Sequence, residues 1–338
     1  MGMMGRAIRI AALAACFALP APPLPAQQAR LGAAAEQQLP TIRVDVEVVN
    51  VLCTVKDRKG RLVNTLSASD FEILEDGQRQ TIRYFSRETD LPLTIGLLVD
   101  TSVSQFRLVP AEKEAAETFL HRVLGPKDLA FLISFDTDVD LLQDFSSSLA
   151  LLRRGLEKLR VNAPVAPVSL PTVQGPFPGL RRGGTHFHDA VYLAAREKLA
   201  AEVGRKAVVV ITDGQDQGSK VKLEEAIEAA QKADVIVYGI LFYDPAFYGF
   251  RFAYSGEGAL KKLAEETGGR MIRVDRSRDL AAAFEEIAQE LRSQYSLGYT
   301  PTNARRDGRF RRLRVQALNQ ELRVQARKGY YAPGGGQE

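Results

Sequence analysis

The chain has 338 residues, 45% of them hydrophobic, enough to bury one large core and a smaller one. Its formal charge of +4 is modest for that length, and much of the basic excess collects in Arg305, Arg306, Arg309, Arg311, Arg312 and Arg314. Beside a turn, that run reads as a solvated strand face and argues against a nucleic-acid partner. Neither G-x-x-x-x-G-K-[ST] nor G-x-S-x-G occurs, so P-loop nucleotide hydrolysis and a hydrolase nucleophile elbow are unsupported.

Residues 1–26 read as a signal peptide. Arg6 and Arg9 form a basic start, residues 10–19 a short apolar core, and cleavage is expected before Gln27. The core is too short to span a bilayer, and no later stretch is apolar enough to be a transmembrane helix. Leu13-Ala14-Ala15-Cys16 also fits a lipoprotein box, so a lipid anchor at Cys16, giving an outer-membrane lipoprotein, is the alternative to a secreted or periplasmic protein. After cleavage Cys53 is the lone cysteine; it can form no internal disulfide and is expected as a small buried hydrophobe. Residues 27–40, rich in Ala and Gln, are a linker.

Residues 41–88 form an N-terminal β segment. Val44, Val46 and Val48 alternate with Asp45 and Glu47, and strand character resumes over 51–55. Asp76-Gly77 marks a hairpin turn between 71–74 and 80–85. Residues 93–99 then form an apolar run, the pattern of a parallel strand buried on both faces. It stops at Asp100, followed by Ser102 and Ser104: D-x-S-x-S, an all-oxygen set suited to a hard divalent cation. Residues 110–124 are helical, 128–139 the next strand, and 147–159 a helix.

Residues 161–182, with five prolines, are an insertion loop feeding into Gly183-Gly184-Thr185; it either shapes partner choice or is passive. A helix over 189–201 and a buried strand over 207–212 follow, the strand ended by Asp213-Gly214. Asp100 and Asp213 therefore lie at strand C-termini on one edge of one sheet, where α/β folds collect ligands. Asp216 and Ser219 either extend this face or cap a helix over 223–232. After a strand over 234–242, residues 244–257 form an aromatic loop that, with Tyr243, offers an apolar rim or packs locally. Helices over 258–267 and 279–291 flank a strand at 271–274. From Gln294 the period returns to two, with strands over 310–318 and 322–330 around a turn at Asn319-Gln320. This C-terminal β segment, 294–333, is expected to join 41–88 in an accessory antiparallel β domain, leaving 334–338 as a tail.

Asp100-x-Ser102-x-Ser104, Thr185 in G-G-T-H-F-H-D-A and Asp213 in I-T-D-G together resemble, over residues 92–291, a von Willebrand factor type A (vWA) domain. The three pieces are similar, in order, to the metal-ion-dependent adhesion site (MIDAS) of that family. The phrase V-x-V-x-V…D-F-x-I-x-E-D-G also resembles the leader of secreted vWA-related proteins common in acidobacteria. The resemblance implies a doubly wound α/β domain over 91–292, a mostly parallel sheet flanked by helices. It implies a metal site of Asp100, Ser102, Ser104 and Thr185 with Asp213 acting through water, holding Mg2+, with Mn2+ or Ca2+ as alternatives. One coordination position would stay open for an Asp or Glu from a protein partner. The expectation is an adhesion or protein-binding module of the bacterial envelope or exterior, and not an enzyme. A scaffold with a structural metal and a metal-dependent hydrolase are the alternatives. The second lacks an evident general base, and His186 and His188 have no further His or Cys cluster to complete a zinc set.

Overall fold

The computed structural model describes residues 48–88, 91–161, 184–243 and 256–334. The leader with Cys16, the linker, residues 162–183 of the proline-rich insertion and residues 244–255 of the aromatic loop lie outside the described residues. Those described belong to one compact unit, residues Val46–Glu338.

Three strands, β5 (Leu93–Asp100), β8 (Arg205–Thr212) and β9 (Val235–Phe242), are buried at all eight positions. Such strands are stable only with a helical layer on each face. They run parallel with β6 (Leu129–Phe135) and β10 (Met271–Val274), while β7 (Val139–Ser146) closes one edge antiparallel, giving the order β10-β9-β8-β5-β6-β7. One face buries Leu93, Ile95, Leu97 and Val99 against α1 (Val109–Val123), α2 (Leu149–Glu157) and α6 (Ser277–Leu291). The other buries Leu98, Val208 and Val210 against α3 (Phe187–Leu193), α4 (Leu223–Lys232) and α5 (Glu257–Thr267). This is the doubly wound α/β architecture expected.

Two boundaries differ from expectation. The strand expected over 128–139 ends at Phe135, where the Asp136 carboxylate accepts from the Asp138 amide (3.0 Å) and reverses the chain into β7. As a half-exposed edge strand β7 lacks the continuous apolar run that marks its neighbours. The helix expected over 189–201 begins at Phe187 and widens into a π turn over Ala194–Leu199.

The second layer is a sandwich of two four-stranded sheets, each mixing segments from before and after the α/β body. One has the order β13-β1-β11-β4, with β1 Val49–Lys56, β4 Ile82–Glu88, β11 Gln294–Tyr299 and β13 Arg323–Ala326. The other is β14-β12-β2-β3, with β2 Phe71–Glu75, β3 Gln78–Gln80, β12 Phe310–Ala317 and β14 Gly329–Tyr331. Val51, Val55, Ile73, Tyr295, Leu297, Tyr299 and Leu313 fill the space between. Asp76 and Gly77 both take positive φ (47° and 84°), as a two-residue hairpin turn demands.

The strands around Asn319-Gln320 do not pair with each other, however. β12 joins β2, and β13 joins β1 in the opposite sheet. The run 80–85 likewise breaks at Thr81, β3 pairing with β2 and β4 with β11. A sandwich needs such corner crossings, and strand periodicity cannot show which sheet a segment joins. In the arginine run, Arg311 departs from a solvated face: it is 4% exposed and pairs with Asp307 at 2.7 Å.

Cys53 sits mid-β1 at 1% exposure, and burial pushes its thiol up to about 12. Thiolate is the reactive form. A thiol-specific disulfide reagent is therefore expected to leave Cys53 untouched under native conditions and to modify it fully in denaturant. Rapid native labelling would show the sandwich opening on that timescale.

Where the two layers meet, Glu290 of α6, 1% exposed, receives Lys56 Nζ of β1 and Arg270 Nε, each at 2.6 Å. Among the described residues no helix is long and apolar enough to cross a membrane.

Candidate metal centre

β5 leads sideways to β6, whereas β8, its other neighbour, leads to β9 on the opposite side. The carboxyl ends of β5 and β8 therefore flank the topological switch point, where connecting loops diverge and leave a crevice. Asp100 is the last residue of β5 and Thr212 the last of β8. The two are joined: Thr212 Oγ1 donates to Asp100 Oδ2 at 2.6 Å, and the Ser102 amide donates to Asp100 Oδ1 at 2.9 Å.

Beyond Asp100 the chain curls through a single 3-10 turn, Val103–Gln105. This brings the Ser102 and Ser104 hydroxyls within 2.9 Å of each other, and Ser104 Oγ donates to Asp213 Oδ2 at 2.7 Å. Asp213 Oδ1 accepts from the Gln215 amide at 3.0 Å across a turn in which Gly214 takes φ 80°. An added Cβ on Gly214 would lie 2.6 Å from the Gly256 carbonyl oxygen, so both backbone angle and space require glycine.

Thr185 is brought to the same edge through its backbone. It exchanges amide–carbonyl hydrogen bonds with Gln217 (3.1 and 2.9 Å), in the loop that starts at Asp213, and the next amide, His186, donates to the Asp136 carbonyl at 2.7 Å. Asp216 and Ser219 cap a different helix from the one expected. The His188 amide donates to Asp216 (3.1 Å) and the Asp189 amide to Ser219 Oγ (3.2 Å), both at the start of α3. Glu225 closes the start of α4 instead, accepting from the Lys222 amide at 2.7 Å. The loop after Asp213 is thereby clamped to the segment that carries Thr185.

Electrostatically this crevice is strained. Asp100 is fully buried, and burial, followed by repulsion from Asp213, raises its carboxyl to about 7, although Ser102 and Thr212 hydrogen bonds pull the other way. Those hydrogen-bond donors to Asp100 are neutral. Two carboxylates that repel, with hydroxyls within hydrogen-bond reach, form a donor set that fits a hard divalent cation. Among the described residues no three His, Cys, Asp or Glu side chains gather as a metal cluster, so a zinc set around His186 and His188 is not assembled. Those rings instead face Asp189 (4.0 Å) and Asp216 (3.6 Å).

Sequence reasoning missed Thr212, which fixes Asp100, and Glu112 of α1, which is buried at 0% exposure. Both left a trace: Thr212 directly precedes Asp213, and Glu112 falls on the helical stripe of Val109 and Ala116. A cleft of about 980 Å3 on the sandwich, lined by Leu74, Phe310, Arg312, Arg314, Val324 and Lys328 among others, shares no residue with this centre.

No curated protein matches the chain. Among solved structures it is similar to proximal thread matrix protein 1 from the mussel byssus (TM-score 0.46, 15% identity, 64% of this chain and 51% of that one). It thus spans about half the length of that protein, one structure of which has a zinc-occupied MIDAS motif. It is also similar to the vWF domain of the type V pili tip protein Mfa5 from Porphyromonas gingivalis (TM-score 0.42, 14% identity, 60% and 95% covered). BatB from Bacteroides thetaiotaomicron is a further match (TM-score 0.40, 20% identity, 59% and 98% covered). At the level of family, residues 177–287 of this chain, which include Thr185 and Asp213, match the von Willebrand factor type A domain.

Proposed function

We propose that this chain is a divalent-cation-dependent protein-binding module of the bacterial envelope or exterior. Asp100, Ser102, Ser104, Thr185 and Asp213 hold the cation, and a partner's Asp or Glu completes its coordination. The observation that carries the reading is the run of contacts Ser102–Ser104–Asp213, at 2.9 and 2.7 Å, beside a buried Asp100 at the switch point. Mg2+ is the preferred ion because every ligand is a hard oxygen, with Mn2+ and Ca2+ as alternatives. The bound cation supplies an electrophilic position for an incoming carboxylate. With Asp100 alone contacting the cation directly and Asp213 acting through water, the open position stays electrophilic, which favours an acidic partner. Val103 and Phe106, 38% and 67% exposed, flank the serines and offer apolar contact beside that position.

One observation favours a second reading, a scaffold with a structural cation: all five side chains are at most 8% exposed. A pulldown from envelope extract, with wild type and Asp100→Ala each in Mg2+ and in EDTA, separates the two. Retention of a protein by wild type in Mg2+ alone supports the binding module. Identical retention in all four samples overturns it, and a Mg2+-dependent melting temperature alongside that result would identify the scaffold. Phe106→Ser is expected to weaken partner retention about tenfold, a typical loss for an exposed aromatic anchor, with Mg2+ affinity unchanged. Equal retention would remove Phe106 from the interface.

A further inference from the structure

α1 carries a carboxylate that the proposed ligand set leaves unexplained. Glu112 is 0% exposed, and neither Oε1 nor Oε2 has a hydrogen-bond partner. It stands on the buried stripe of α1 with Val109 and Ala116, where a sequence built only for packing would place an apolar residue. A buried carboxyl group without a donor is strongly unfavourable in its ionised form unless a positive charge offsets it, and otherwise has to hold a proton. The charged groups that act on Glu112 are Asp100 and Asp213; with burial as the largest cause, they hold its carboxyl well above the usual range. Gln105, in the turn that carries Ser104, repeats the pattern: it is fully buried, its Nε2 donates to the Phe242 carbonyl at 3.3 Å, and its Oε1 has no partner. Glu112 and Gln105 thus both bury acceptors without partners, and Glu112 does so within the field of Asp100 and Asp213.

We propose that Glu112 is the outer acidic group of the cation site, a positioning residue behind Asp100 and Asp213 whose burial is favourable only when a divalent cation is bound. This rests on the reading that the five-residue centre holds a cation. Glu112 is not assigned as a ligand, because no three acidic side chains among the described residues gather closely enough to share an ion. It acts across the Asp100–Asp213 pair. Coulomb attraction in a buried site falls off slowly, so a group beyond the inner sphere still tightens binding of a doubly charged ion and does so less for Na+ or K+. Since Glu112 lies within the first turn of α1, eight residues after Ser104, the same attraction ties the seating of α1 to cation occupancy. A protein that binds the cation without this group would gain less stability from it.

Glu112→Gln keeps the shape of the side chain and removes its charge. Titration of the intact protein with MgCl2, followed by calorimetry and by melting temperature, is expected to show Mg2+ affinity reduced about 10- to 100-fold, the usual cost of losing an outer-shell partner. The EDTA melting temperature should be equal to or above that of wild type. A side chain needed only for packing would lower the EDTA melting temperature and leave Mg2+ affinity alone, and that result overturns the proposal. Wild type supplies a second readout that needs no variant. Amide hydrogen exchange over residues 112–123 is expected to slow with Mg2+ and not with Na+; equal exchange in both is the contrary result. The two readings fail separately. If wild type shows no Mg2+ binding, the cation site itself is wrong, whereas unchanged affinity in Glu112→Gln against a wild type that binds Mg2+ removes only Glu112.

Discussion

Asp100→Asn is expected to stabilise the cation-free protein at pH 8 and to abolish its response to Mg2+. Burial and the nearby Asp213 raise the Asp100 carboxyl to about 7 in the folded protein, against about 3.9 in an unfolded chain. Between those values the folded state holds a proton that the unfolded state has released. Stability therefore falls as pH rises through this window, and the penalty is complete above pH 7. A shift of that size corresponds to about 4 kcal/mol. The carboxamide of the variant has no such proton to lose. Urea unfolding in EDTA at pH 5 and pH 8 should accordingly show a steeper loss for wild type than for the variant, which keeps only the share that comes from Glu112 and other groups. Mg2+ is expected to oppose the loss in wild type, because a cation at the proposed site binds the ionised form; at one hundred times its dissociation constant it would add about 2.7 kcal/mol. The variant should gain nothing. Equal pH dependence in the two proteins would mean that Asp100 is not held in this electrostatic conflict.

Glu290→Ala should produce a large loss of stability at a position distant from the proposed metal centre. The side chain is 1% exposed and gathers Lys56 of β1 and Arg270, the residue before β10, each at 2.6 Å, while Gln325 Nε2 of β13 lies 3.4 Å from its other oxygen. Truncation leaves Lys56 without its carboxylate and Arg270 with Glu286 alone (2.5 Å), two cations across the junction of the α/β body and the sandwich. Loss of the common partner of a buried ion pair costs about 3–5 kcal/mol. Lys56 and Arg270 keep 23% and 24% side-chain exposure and so recover some hydration, which places the expectation near the lower bound. The urea midpoint at neutral pH, compared with Glu290→Gln as the milder change, measures it. A loss below about 1 kcal/mol, the scale of a surface pair, would show that this ion pair contributes little to joining the layers.

The α/β body was legible in the sequence to the extent that its strands are buried on both faces. β5, β8 and β9 announce themselves as apolar runs, and Asp100 and Asp213 are visible because they interrupt such runs at their ends. The hydroxyls of Ser102 and Ser104 could be placed together from spacing alone, since a short turn presents alternate residues to one side. What remained hidden depends on neighbours distant in sequence. β7 is half exposed at an edge, so its pattern is weak. The parting of β12 from β13 is decided by β2 and β1, hundreds of positions earlier. Asp216 and Ser219 have the composition of a cap, but no local rule says that their helix is α3. Glu112 reads as one more charged helix residue until its stripe is compared with the burial of Val109 and Ala116.

The sandwich encloses the α/β body in sequence, and this sets an order of events during synthesis. Asn50 and Ser296, in contact through their side chains, are 246 positions apart. β1 and β4 reach each other only through β11, which lies between them. Until residues 294–299 have left the ribosome, the early β segment has no strand to hold β1 to β4, and Val51 and Val55 have no core to enter. The α/β body is complete by residue 291 and is free to close first, because its strand pairings are contained within it. A chain cut after that body would therefore carry an orphaned β segment with open edges, a target for proteases and holdase chaperones and a risk for aggregation.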